Sequence, residues 1–266
     1  MEEAAVLARR GAAENEPRQA GTSLRVEYED GRRQWSARRR RSVWLSALWW
    51  GPAAVLLGVL AGIGTRYALF GLLVTVLAVA AAIDVGFQRP ESLDRIKARA
   101  DAESGTAKSL HLLQIRGGAR TLHDRFFAAG EAEPFDVEHL VISRRGVFLI
   151  DSKQWHGYDL RLLGIQLFVN HVNQADALKG MKQNADALGA ALGSAAASDE
   201  EVGVVTVTPV LAVHADGLTG TPRVIGGVII VRPEQLPEVL RSPDLRWSTS
   251  ATEHLAEAAD YLLPPR

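Results

Sequence analysis

The stretch FDVEHLVISRRGVFLIDSKQWHG, residues 135–157, constrains this chain more than any other. Two runs rich in Val, Ile, Leu and Phe, VEHLVI and GVFLIDSK, flank the turn SRRG. That pattern predicts two strands joined as a hairpin, greasy enough to be core. Charges are kept out of such places unless paired or bound to something. Yet Glu138 opens the first run, and Asp151 and Lys153 close the second. Side chains alternate along a strand. Val147, Leu149, Asp151 and Lys153 therefore share one face, and Phe148, Ile150 and Ser152 the other. A hairpin brings Glu138 alongside. Two carboxylates at that distance repel one another, and a divalent cation with oxygen ligands, Mg²⁺ or Mn²⁺, would remove the repulsion. A lysine beside them would orient or activate a water and offset phosphate charge. The bland alternative for Asp151 and Lys153 is a surface ion pair worth about 0–1 kcal/mol.

The rest of the domain follows from periodicity. A helix is expected over Leu110–Ala128, with a break at Gly117-Gly118. YDLRLL and IQLFV are short strands turning at Gly164. Ala175, Leu178, Met181, Ala185, Leu188 and Leu192 recur at helical spacing, predicting a helix over His171–Leu192. VGVVTVTPVLAVH and RVIGGVIIV each read as one strand. RPEQLPEVLRS and SATEHLAEAADYLL read as closing helices, the first with Pro233 near its start. The order gives a mixed α/β domain, a central sheet flanked by helices, over residues 109–266.

The N-terminal half has a different character. Residues 1–35 lack a lasting apolar period and read as disordered, with SLRVEYED a candidate short strand; the start MEEAAVLARR has no signal-peptide core. Residues 1–40 are taken as a cytoplasmic N-terminal segment. From Val43 to Ile83 the only charged residue is Arg66. One helix there would be about 61 Å long, twice a bilayer core, so two transmembrane helices at 43–63 and 67–83 are expected. The alternative is a buried helical hairpin. Arg38–Arg41 precede the run, and Arg89, Arg95, Lys97 and Arg99 follow it. The positive-inside rule then makes this a multi-pass protein of the cell (inner) membrane with both termini cytoplasmic and residues 43–83 in the lipid bilayer. Residues 89–108 read as a charged, partly helical linker.

Composition narrows the chemistry further. There are no cysteines, so thiolate metal sites and disulfides are excluded. The formal net charge is −1, so any basic surface for nucleic acid must be local. No histidine pair has zinc-ligand spacing within a helix, and there is no nucleophile elbow or phosphate-cradling glycine loop. Gln174 and Lys182, on the polar side of the long helix, are candidate phosphate contacts, with a merely solvated face as the alternative.

The hairpin, its Gly146 and the Trp155–Gly157 W-x-G resemble the core of the nuclease-related domain, NERD, a family similar to restriction-endonuclease-like nucleases with an acid…(D/E)-x-K site. The resemblance covers roughly residues 115–240. It implies a restriction-endonuclease-like fold and a metal-dependent hydrolysis of phosphodiester bonds, in DNA ahead of RNA. Glu138 and Asp151 would ligate Mg²⁺ or Mn²⁺, the Ser152 backbone carbonyl would add a ligand, and Lys153 would assist catalysis. Two departures stand out. Glu138-His139 replaces the family's Asp-His. The family's Gly-Glu on the preceding helix is missing from RGGARTLHDRFF, where Asp124 is the candidate substitute. The alternative is a catalytically inactive module of the same fold that binds nucleic acid or a protein partner at the membrane.

Overall fold

The computed structural model describes residues 21–38, 90–128 and 133–266. They fall in two compact units. One runs from Arg25 to Lys97; the other takes the residues up to Leu24 together with Ala98–Arg266.

The hairpin lies at the middle of the larger unit. β1 (Arg120–Phe127), β2 (Phe135–Ser143) and β3 (Gly146–Gln154) run antiparallel to one another. β3 then pairs in parallel with β7 (Val207–His214), and β7 with β9 (Val228–Val231), which carries β8 (Arg223–Ile225) as an antiparallel edge. The mixed six-stranded sheet has the order β1-β2-β3-β7-β9-β8. Between β3 and β7 the chain makes a three-stranded meander of β4 (Leu160–Leu163), β5 (Gln166–Val169) and β6 (Val172–Asn173). Pro209 cannot donate to a ladder, and it is tolerated in central β7 because pairing to β9 begins only at Val210.

Helices cover both faces. Alternation along β3 sends Val147 and Leu149 into a core with α3 (Ala175–Ala195) and α5 (Thr249–Leu262). Phe148 and Ile150 enter the opposite core, with Leu110 and Leu113 of α2 (Glu91–Gly117) and Leu236 of the short α4 (Leu236–Val239). Burying each such side chain contributes about 1.5–3 kcal/mol. The hydroxyl of Ser248 caps α5 by accepting from Ala251 N–H at 3.2 Å.

Several expectations are corrected. The helix placed over Leu110–Ala128 is the end of α2 followed by strand β1. The segment read as a partly helical linker, 89–108, is helical from Glu91 and continuous with it. RVIGGVIIV is two strands, because Gly226 and Gly227, at φ 59° and 80°, turn the chain back on itself. α3 starts at Ala175 rather than His171, since Val172–Asn173 pairs with β5. SLRVEYED is helical, within α1 (22–38), where Arg33 meets Glu29 and Asp30 across one turn. The multi-pass membrane placement is also corrected. Among the described residues no helix is long and apolar enough to cross a membrane. The longest, α2, carries Glu91, Asp94, Arg95, Lys97, Arg99, Asp101 and Glu103 in its first half. The spans expected at 43–63 and 67–83 lie outside the described residues, as do residues 1–20.

Candidate active site

Strand register determines which charges meet. In the hairpin His139 lies opposite Ile150, so the next position sets Glu138 across from Asp151. On the other flank His123 faces His139 and Arg125 faces Val137, which sets Asp124 across from Glu138. Three carboxylates therefore stand in a row across β1, β2 and β3, where ladder pairing lapses. Asp124 takes the left-handed backbone conformation, φ 52°. The Ser152 N–H, on a residue without a β2 partner, donates to Glu138 Oε2 at 2.7 Å.

A fourth carboxylate comes from the helix. Arg99, Glu103, Thr106, Leu110 and Leu113 follow one another at steps of four and three, which is one face of α2. The lower part of that stripe is apolar core. The upper part delivers Glu103, 4% exposed, and Arg99 to the row. Arg99 Nη2 lies 3.0 Å from Glu138 Oε1, and its Nε lies 3.5 Å from Glu103 Oε1. Lys153 Nζ lies 2.7 and 2.9 Å from the two oxygens of Asp151.

Crowding shows in the electrostatics. Burial, then the charges of Asp124 and Asp151, push the Glu103 carboxyl up to about 7 against the pull of Arg99 and Lys153. Glu138 is raised well above the ordinary carboxylate range, by burial first and then by Asp151 and Glu103. Burial alone would lower Arg99, but Glu138, with Glu103 and Asp151 behind it, outweighs that and leaves it raised. Glu103 and Glu138 thus share Arg99, and Asp151 pairs with Lys153.

Beneath the carboxylates runs a chain of hydrogen bonds, buried at its centre and half-buried at its two ends. His123 Nδ1 is 2.8 Å from His139 Nδ1, and His139 Nε2 is 3.3 Å from Ser152 Oγ. Ser152 Oγ donates to Thr106 Oγ1 at 2.9 Å, which is 3.0 Å from His214 Nε2. A neutral imidazole has one donor and one acceptor, so His139, bonded at both ring nitrogens, donates through one and accepts through the other. Burial, followed by the Arg125 charge, lowers His123 to about 4, and burial lowers His139 and His214 as well, which favours the neutral rings this chain requires. Gly105 permits the contact at the far end: a Cβ there would lie 2.8 Å from His214 Cε1.

Glu138, Asp151 and Lys153 are therefore brought together. Ser152 joins them through its N–H and hydroxyl. Asp124 lies in the row but on β1, not on a helix, and its two oxygens accept the N–H and hydroxyl of Ser23 at 3.0 and 2.9 Å. Gln174 and Lys182 do not join. Gln174 bonds the Val172 carbonyl and Lys182 pairs with Asp186 at 2.7 Å. Sequence reasoning missed Arg99, Glu103, Thr106 and His214. The helical stripe running back from Leu113 was the signal for the first three.

The donor set suits a divalent cation: hard carboxylate oxygens with excess negative charge, partly desolvated. The arrangement leaves no open position. Glu138 is engaged by Arg99 and Ser152, and Asp151 by Lys153. Among the described residues no three acidic or histidine groups stand placed to hold a metal ion.

Residues 98–214 match the nuclease-related domain (NERD) family. The match covers less than half of the chain. The NERD segment begins one residue before Arg99 and ends on His214, so it encloses every residue of the carboxylate row and of the hydrogen-bond chain except Ser23. It starts well ahead of residue 115, where the resemblance was placed, because α2 belongs to it. No curated protein and no solved structure matches the chain.

Proposed function

We propose that the NERD segment, together with the strands and helices that follow it, is a restriction-endonuclease-like phosphodiesterase acting on nucleic acid, DNA ahead of RNA. The observation that carries this reading is the convergence of Glu138, Asp151 and Lys153 from adjacent strands with Glu103 from the helix behind them. Glu138 and Asp151, with the Ser152 carbonyl, would hold Mg²⁺ or Mn²⁺. Such an ion, when bound, lowers the pKa of a water and polarises the phosphate. The chain's own residues do the rest. The Ser152 N–H orients Glu138. The Lys153 ammonium, more exposed than the acids, offsets phosphate charge and orients the attacking water. The hydrogen-bond chain from His123 to His214 locks β1, β2, β3 and α2 in register behind the acids, as a preorganised site requires.

The test is cleavage of supercoiled plasmid by the full chain with Mg²⁺ or Mn²⁺. Asp151→Ala and Lys153→Ala are each expected to slow cleavage by about 100-fold or more. Rates equal to the unmodified protein would refute the assignment.

One observation favours a second reading. The acids are already neutralised by Arg99 and Lys153, which is compatible with a module that binds nucleic acid without cutting it. That reading expects salt-sensitive binding and no metal-dependent product.

A further inference from the structure

The β2–β3 hairpin carries a second concentration of charge, at its turn, and it is all of the opposite sign. Arg144 and Arg145 make the turn, and the segment between α4 and α5 folds against them. The Arg144 carbonyl accepts the N–H groups of Arg246 and Trp247 at 2.8 and 3.1 Å, and Arg144 Nε donates to the Trp247 carbonyl at 3.3 Å. Arg145 Nη1 donates to the Pro243 carbonyl. Arg241 Nε donates to the Pro237 carbonyl at 2.9 Å. The Arg246 guanidinium lies over the buried Trp247 ring, 5.4 Å from its centroid. Four arginines are thereby gathered on one surface. Arg144, Arg241 and Arg246 are exposed and Arg145 is half-buried.

Their partners are backbone carbonyls and an aromatic face. Among the described residues none of the four pairs with a carboxylate, although Asp244 is close by in sequence. A guanidinium has five N–H donors. One carbonyl anchors each of Arg144, Arg145 and Arg241 and leaves most of its donors for a ligand. All four are arginines and none is a lysine, and the planar fork of arginine matches phosphate oxygens two at a time. With a chain-wide net charge of −1, a basic surface for nucleic acid had to be local, and this cluster is such a surface. It is also set at a usable distance. Five strand positions separate the Glu138–Asp151 pair from Ser143–Gly146. That is about 17 Å, or about five nucleotides along a strand.

We propose that Arg144, Arg145, Arg241 and Arg246 form a docking surface for the phosphate backbone of nucleic acid, separate from the acids and acting without metal. On the phosphodiesterase reading above, which this inference deepens, the surface holds the strand that the acids cut. Backbone contacts carry affinity and no sequence information, so binding here is indifferent to sequence.

The full chain is titrated with a fluorescently labelled DNA duplex of about 20 base pairs, in EDTA, between about 50 and 200 mM salt. Arg241→Gln/Arg246→Gln is expected to weaken binding about tenfold and to reduce the salt slope by about 2. Lys182→Gln, which removes a cation already paired with Asp186, is expected to bind as the wild type does. Arg241→Lys/Arg246→Lys keeps the charge and is expected to recover part of the loss. Unchanged affinity and slope in a folded Arg241→Gln/Arg246→Gln overturn the proposal, as does an equal loss in Lys182→Gln. Binding of the wild type to phosphatidylserine vesicles but not to the duplex overturns it too. If the glutamine variant is unfolded, the lysine variant decides: it must bind more weakly than the wild type with a similar salt slope, and wild-type affinity overturns the proposal. The nuclease reading is judged apart, by plasmid cleavage: metal-dependent cleavage with no effect of the arginines on binding sinks this proposal alone, and arginine-dependent binding with no cleavage sinks that reading alone.

Discussion

Replacing His139 with alanine is expected to destabilise the larger unit by about 3–5 kcal/mol, measured by urea unfolding at neutral pH. The ring is fully buried and joins the half-buried His123 to the buried Ser152 hydroxyl. Its removal leaves a cavity, and it takes a hydrogen-bond partner from the His123 ring on one side and from the Ser152 hydroxyl on the other. The consequence reaches the acids, because Ser152 also orients Glu138 through its N–H. A loss below about 1 kcal/mol would mean the hydrogen-bond chain is not the brace described here.

A second large effect concerns pH. The Glu103 carboxyl, ordinarily near 4.5, lies at about 7 in the folded chain. The folded state therefore holds a proton that the unfolded state has released between those values. Stability from this group is complete below pH 4.5 and is lost as pH rises through 7, by about 3 kcal/mol in all. His123 acts in the opposite sense: its folded value of about 4 makes stability fall as pH drops below about 6.5. A comparison of the wild type with Glu103→Gln isolates the acid. The variant is expected to gain on the wild type by about 3 kcal/mol between pH 4.5 and 8 in unfolding experiments without metal. If it instead loses ground as pH rises, Arg99 outweighs burial and Glu103 is held as a carboxylate.

The readable parts of the fold were those whose chemistry was apolar and periodic. β2 and β3 stood out because β-branched runs broke at SRRG, and once they were paired, register alone set Glu138 against Asp151. α3 and α5 declared themselves through leucine and alanine at helical spacing. The misreadings have physical causes. The first turns of α2 carry charge after charge, so the face that bears Arg99, Glu103 and Thr106 has the helical period but not the hydrophobicity that makes a period visible. β1 lost its alternation at Asp124, whose left-handed backbone breaks the strand pattern. Two glycines inside RVIGGVIIV were a hairpin signal obscured by the apolar residues on either side. The acid missing from RGGARTLHDRFF was sought too late in the chain: Glu103 enters the cluster from a segment that looked like a linker.

The most direct test of the central claim is an anomalous difference map from crystals of the full chain grown with millimolar Mn²⁺. The account predicts a manganese peak between the carboxylates of Glu138 and Asp151. A map with no manganese there, and with Arg99 still on Glu138 and Lys153 still on Asp151, would contradict it.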